Sequence, residues 1–233
     1  MKIIALDSSG LVAGVAVWED GILRAEYTTN YKKTHSQTLL PMLEELRDML
    51  ELDLDTVDAI AVASGPGSFT GLRIGAATAK GLGLALDKPL VEVPTLEGMA
   101  YNLWGTERLV CPMMDARRSQ VYTGIYEFVR EGQELKLGVV RKQCAADIND
   151  ILMEINVFGR EVIFLGDGAD AYRDVIREKT KVPYSFAPAQ SSHQRAASVA
   201  ALGAVYFAQG KTVTAAEHRP EYLRQSQAQE DRS

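Results

Sequence analysis

Cysteine is scarce in this chain: among 233 residues only Cys111 and Cys144 occur, far apart and in no CxxC arrangement. That excludes a disulfide scaffold and a thiolate metal knuckle, and it predicts free thiols in a reducing compartment. Histidine is nearly as rare. His35, His193 and His218 include no pair at a metal-ligand spacing, no GxSxG elbow exists, and neither cysteine has a histidine beside it in sequence. Long apolar runs are also missing. The stretch at residues 3–6 is far too short for a secretory core, and nothing approaches the roughly 18 apolar residues of a membrane span. The reading is a cytoplasmic protein with no membrane partner. Finally, there is no basic surplus, since the formal net charge is −6. A protein that grips nucleic acid alone usually carries one, because phosphate neutralisation supplies most of the affinity. Lys32 with Lys33, and Arg117 with Arg118, therefore read as solvated surface, and any RNA should be held mainly by something else.

What is present is an ordinary globular composition, 46% hydrophobic and 24% charged, in a chain long enough for one large domain or two small lobes. KIIALD, GLVAGVAVW and ILRAEYTT are three strands, the last two joined by an Asp-Gly turn that signals a hairpin. Residues 35–51 switch to helical period, with Leu39, Leu43, Leu46 and Leu50 on one stripe. Thr34 and Gln37 suggest a capping box. Pro41 requires either a start near Thr38 or a kink. Strand 57–64, a glycine-rich turn at 65–71, helix 72–86, strand 88–93 and a helix beginning at Pro94 follow. The pattern then repeats: strands near 108–115, 119–128 and 133–142, a helix near 145–156, strand 161–166, the Gly-Asp-Gly turn, helix 169–179, a short strand at 183–186 and a last helix at 192–209. Three antiparallel strands followed by alternating helices and strands, twice over, predict a duplicated α/β fold with mixed sheets. The lobes are set at 1–105 and 106–224, the last helix being free to pack back on the first lobe. Residues 225–233, QSQAQEDRS, read as a disordered tail.

Few residues invite chemistry. Asp7, at the end of the first strand before Ser8, suits a phosphate-bound Mg²⁺ or a turn that caps itself, and on the residues alone the second reading is stronger. GPGSFTG exposes backbone N–H groups ahead of a helix, but lacks GK[ST] and has Thr70 where a dinucleotide motif needs glycine or alanine. A structural or interface role and phosphate binding stand level there. Gly71, Gly75, Ala79 and Gly83 recur every fourth residue, a bare stripe whose cost of about 0.5–1 kcal/mol per glycine implies close approach of another element. That element is either the 35–51 helix or a second chain. Leu40, Met42 and Met49 widen the first helix's apolar arc beyond one buried face, which suggests a docking surface.

At HSQTLLP (35–41), GPGSFTGLRIG (65–75), AKGL (79–82), PTLEGMA (94–100), DARRSQVY (115–122), GDGA (166–169) and PEYLR (220–224) the chain resembles the bacterial TsaB (YeaZ) family of tRNA threonylcarbamoyladenosine biosynthesis proteins. The segments keep the family's order over nearly the whole chain. The resemblance implies the duplicated actin/Hsp70/sugar-kinase fold. It implies a non-catalytic subunit that pairs with the catalytic paralogue TsaD, is joined by the ATPase TsaE, forms a homodimer in isolation and meets tRNA only through the complex. That complex places threonylcarbamoyl on N6 of the adenosine just 3′ of the anticodon in tRNAs that read ANN codons. The paralogue's HxxxH metal motif corresponds here to His35 through Leu39, so its second ligand is absent and no catalytic or metal residue is assigned. The implied partner interface is Ser36, Leu39, Leu40, Leu43, Leu46, Gly71, Leu72, Gly75, Ala76, Ala79, Leu82 and Gly83. Gly75→Leu or Ala79→Leu is then expected to abolish association and leave the monomer folded. The implied nucleotide region is Asp7, Ser8, Gly166, Asp167 and Gly168, with no cofactor required in the isolated chain and ATP or ADP allowed in the complex. Two other functions remain: a stand-alone peptidase-like or kinase-like enzyme, which would bind ATP·Mg²⁺ by itself, and a homodimeric regulator using the same helices.

Overall fold

The protein was analysed as a computed structural model, which describes residues 1–31 and 35–224. In chain order the elements are β1 (Lys2–Asp7), β2 (Ala13–Glu19), β3 (Ile22–Thr29), α1 (Leu39–Met49), β4 (Ala59–Gly65), α2 (Phe69–Leu86), β5 (Leu90–Pro94) and α3 (Thr95–Tyr101). There follow β6 (Leu109–Asp115), β7 (Gln120–Glu131), β8 (Glu134–Asp147), α4 (Ile148–Phe158), β9 (Val162–Leu165), α5 (Asp167–Ala171), α6 (Arg173–Lys179), β10 (Tyr184–Phe186), α7 (Ala189–Ser192) and α8 (Ala196–Ala208).

The strands form two five-stranded sheets, β3-β2-β1-β4-β5 and β10-β9-β6-β7-β8. Within each, the first strand of the set pairs antiparallel with the next and parallel with the fourth. The same order twice is the duplication expected, and with its helices it is the actin/Hsp70/sugar-kinase class of fold. The chain divides into two units, Met1–Gly98 with the chain from Gln194 onward, and Met99–His193. The sequence places this division near 104–108. It falls at Gly98, and the chain returns to the first unit from Gln194, where α8 packs on β1, β2 and β5 of the first sheet.

In the first unit, β1 is central and buried from Ile3 to Asp7, as a strand covered on both faces must be. Asp20 and Gly21, both at positive φ, make the two-residue hairpin turn between β2 and β3. On one face Ile4, Leu6, Val15 and Val17 meet Leu39, Met42, Leu43 and Leu46 of α1 and Ala79 of α2. Each such aliphatic side chain contributes about 1.5–3 kcal/mol by leaving water. The helix starts at Leu39 with Thr38 as N-cap, so Pro41 lies in the first turn, where no N–H is missed. Met42 belongs to this core, contrary to its placement off the main stripe, whereas Leu40 and Met49 are 52% and 70% exposed. Thr34, Lys32, Lys33 and the tail from Gln225 lie outside the described residues. On the opposite face α8 approaches closely, the position of a Cβ on Gly203 being 2.7 Å from Ala61 Cβ. Glu26 fixes its start by pairing with Arg195 and accepting from the Ala197 amide at 3.0 Å. The single helix expected at 192–209 is broken, because His193 is extended between α7 and α8.

The second unit buries Cys111, Met113, Val121, Ile125 and Phe164 of its sheet against Ile148, Ile151, Leu152 and Ile155 of α4 and Ile176 of α6. Burial pushes the Cys111 thiol up to about 12, so it is an inert core residue. Pro94 closes β5 rather than opening α3, which begins at Thr95. No helix among the described residues is long and apolar enough to cross a membrane.

Candidate functional site

Each unit carries an aspartate at the end of its first strand and a glycine turn after its fourth. Asp7 ends β1, and its Oδ1 accepts from the Ser9 amide at 2.9 Å and from Ser9 Oγ at 2.7 Å. Asp115 ends β6, and its Oδ1 accepts from the Arg117 amide at 2.8 Å. Both are carboxylates capping the residue two ahead, the geometry of an Asx turn. They differ in burial. Asp7 is 3% exposed, and burial raises its carboxyl to about 6 against the Ser9 hydrogen bonds and the nearby His35, which lower it. His35 itself sets Nε2 2.8 Å from the Gly10 carbonyl oxygen.

The GPGSFTG segment is filled by its own chain. The Ser68 amide donates to Ser9 O at 2.6 Å, the Gly65 amide to Thr95 Oγ1 at 3.2 Å, and the Gly71 amide to Ser68 Oγ at 3.3 Å. A Cβ on Gly67 would lie 2.2 Å from Ser9 O, and one on Gly65, where φ is +122°, 2.2 Å from Glu221 O. Carbonyl oxygens thus stand where a side chain at 65 or 67 would have to go, which is a structural reason for glycine at both positions. The segment that completes it, from Pro220, was not anticipated. Glu221 donates its amide to Ser64 O at 2.7 Å, and Tyr222 lies on Phe69 with ring centroids 4.7 Å apart.

The small stripe of α2 also faces inward. A Cβ on Gly71 would be 2.0 Å from Ser8 O, one on Gly75 2.7 Å from Ser8 Oγ, and one on Gly83 2.9 Å from Leu90 Cδ2. Close approach is therefore found: the neighbours of Gly71 and Gly75 are at the end of β1, that of Gly83 is Leu90 of the sheet, and Ala79 shares the core with α1. Of the proposed interface residues, Leu39, Leu43, Leu46, Gly71, Leu72, Gly75, Ala76, Ala79 and Gly83 are buried within their own unit, Leu82 is half-buried, and only Ser36 and Leu40 are exposed. The outward face of α2 is a second run, Arg73, Ala77, Gly81 and Leu84, also nearly bare, and a Cβ on Gly81 would meet nothing within 4 Å. Its three- and four-residue spacing runs two residues on from the buried stripe.

In the second unit Gly166, Asp167 and Gly168 form a tight turn against β6. A Cβ on Gly166, at φ +97°, would lie 2.1 Å from Met113 O, and one on Gly168 2.9 Å from the carbonyl carbons of Met113 and Met114. Burial raises the Asp167 carboxyl, while the Asp115 amide donating to it pulls the other way. Asp7 and Ser8 belong to one unit and Gly166 through Gly168 to the other. Asp7 and Asp167 are the groups in this set with carboxylate oxygens for a cation or a ribose hydroxyl. The glycines supply closeness of backbone only.

With this geometry in view, the chain can be compared with known proteins. The family model described as TsaD, tRNA N6-adenosine threonylcarbamoyltransferase, matches residues 23–231. The tRNA threonylcarbamoyladenosine biosynthesis protein TsaB of Bacillus subtilis is 33% identical over 98% of this chain and 96% of its own length. The chain belongs to the TsaB family. The Escherichia coli TsaB is 29% identical over 98% of this chain and 96% of its own length. The solved structure of YeaZ from Pseudomonas aeruginosa superposes with a TM-score of 0.76 at 28% identity, covering 95% of this chain and 99% of that one. The TsaB resemblance read from HSQTLLP, GPGSFTGLRIG and DARRSQVY is thereby established.

Proposed function

We propose that this protein is the non-catalytic partner subunit of the tRNA threonylcarbamoyladenosine synthesis complex, supporting TsaD in transfer of threonylcarbamoyl to the adenosine 3′ of the anticodon in ANN-decoding tRNAs. The observation that carries the proposal is Leu39. At the place where the catalytic paralogue's motif requires a second imidazole, this chain has a leucine 1% exposed in the core of its first unit. A leucine there supplies packing and no ligand atom, so the motif has been converted from a metal site into a fold determinant. The outward faces of α1 and α2 support the subunit role, since Leu40 and Met49 on α1 and Leu84 on α2 are exposed by 52%, 70% and 72%. TsaD is the partner of that face, TsaE the ATPase that joins, and the homodimer the state of the lone chain. No cofactor is required in the isolated chain, ATP or ADP is allowed in the assembled complex, and tRNA is held through the complex.

Reconstitution with TsaD, TsaE, threonylcarbamoyl-AMP and tRNA, with and without this protein, tests the proposal. Modified tRNA is expected only when all components are present and at background from this protein alone. Full modification without it, or modification by this chain unaided, would overturn the reading.

A further inference from the structure

One exposed cation on the outward face of α2 is backed by two aromatic rings in series. The Arg73 guanidinium lies over the Phe69 ring at 3.9 Å. Phe69 in turn is backed by Tyr222, which reaches it from the far end of the chain. The segment bearing Tyr222 is pinned by the Glu221 amide on Ser64 O. Arg73 is exposed, and among the described residues it makes no ion pair. A guanidinium resting on an aromatic ring loses less freedom when it binds than a free one, and its planar fork of N–H donors suits a two-oxygen acceptor. An exposed aromatic–arginine stack of this kind has the composition of an interface anchor.

We infer that Arg73, held on Phe69 by Tyr222, is the polar anchor for a carboxylate side chain on a protein partner that packs against α2. The inference rests on the subunit role proposed above and names the chemistry of its contact. A protein acceptor is favoured over an RNA phosphate by what surrounds the stack. Toward the C-terminus the same face continues as Ala77, Gly81 and Leu84, a surface for a packed helix. A track for RNA needs several cations in a row, and among the described residues this face has no such row.

The test measures association with TsaD by titration calorimetry for the wild type, Arg73→Ala, Arg73→Lys and Tyr222→Ala, each first shown by thermal melting to be folded. Arg73→Ala is expected to weaken association by about tenfold or more, the scale of an anchor. Arg73→Lys, which keeps the charge and loses the planar fork, and Tyr222→Ala, which keeps Arg73 and loses its backing, are expected to fall between. Unchanged association of Arg73→Ala would overturn the anchor. So would normal association combined with weaker tRNA retention on filters by the assembled complex, which would reassign the cation to RNA. If the wild type itself fails to bind TsaD, the subunit reading falls instead, so the two failures are distinguishable.

Discussion

Gly67→Ala and Gly71→Ala should each destabilise the isolated protein by about 3 kcal/mol, the upper end of ordinary overpacking. The reason is the partner atom. The added Cβ would stand 2.2 Å from Ser9 O in the first case and 2.0 Å from Ser8 O in the second. Backbone carbonyls at the end of the central strand β1 have no rotamer into which to retreat. At roughly 2–4 °C per kcal/mol for a chain of this size, the melting temperature should fall by about 6–12 °C. Gly81→Ala provides the contrast. It changes the same residue type in the same helix, but into open solvent, and should be neutral or gain about 0.5–1 kcal/mol from helix propensity. Thermal melts of the three variants decide it: a Gly71→Ala protein that melts with the wild type would mean the approach of α2 to the 8–9 turn is not real. By the same logic Gly75→Leu would crowd Ser8 Oγ, which donates to Gly71 O at 2.9 Å, and would unfold the monomer rather than selectively undock it. Gly81→Leu is the cleaner probe of docking, since it adds bulk only to the outward face.

The glycine stripe shows how far sequence reasoning reaches. A four-residue recurrence of small residues in a helix demands a close neighbour, and one exists. Which neighbour is a question of topology, because Ser8 and Gly71 are brought together only by the parallel pairing of β1 with β4. Periodicity fixed the strands and α1 well, because burial on one face imposes its period directly on the chain. Pro41 left two readings open, a helix start near Thr38 or a kink, and the start at Leu39 decides for the first. The return of α8 to the first sheet was legible only as an option: its residues are apolar nearly all round, and such a helix carries no sign of which sheet it covers. The docking of Glu221 and Tyr222 on the glycine turn left no signal at all. A short irregular segment has no period, and its hydrogen bonds are made by backbone atoms common to every residue. The candidate site divides in the same way. Asp7 could be named from its place after a strand, whereas its burial, and hence its energetic character, comes from three-dimensional packing.

That character gives the second large effect. Asp7→Asn should stabilise the protein at neutral pH by about 2–3 kcal/mol, since a carboxyl raised from 3.8 to about 6 costs about 1.4 kcal/mol per unit once ionised. The sign follows from the folded state holding its proton more tightly than the unfolded chain. The contribution of Asp7 is most favourable below pH 3.8 and is lost as pH rises through about 6. The advantage of asparagine should therefore shrink to about 1 kcal/mol near pH 4.5 and vanish in more acidic solution. Denaturant titrations of both proteins at several pH values measure it, and a pH-independent difference would show that desolvation of the carboxyl is not the cause. Asparagine could accept the same two Ser9 hydrogen bonds through its own Oδ1, so the turn does not need the charge. A buried carboxylate whose charge the turn does not need is a candidate for use in function. In the reconstituted complex, an Asp7→Asn subunit that is more stable and less active would locate that use in the nucleotide region. Full activity from the stabilised variant would mean that the carboxylate serves neither fold nor modification.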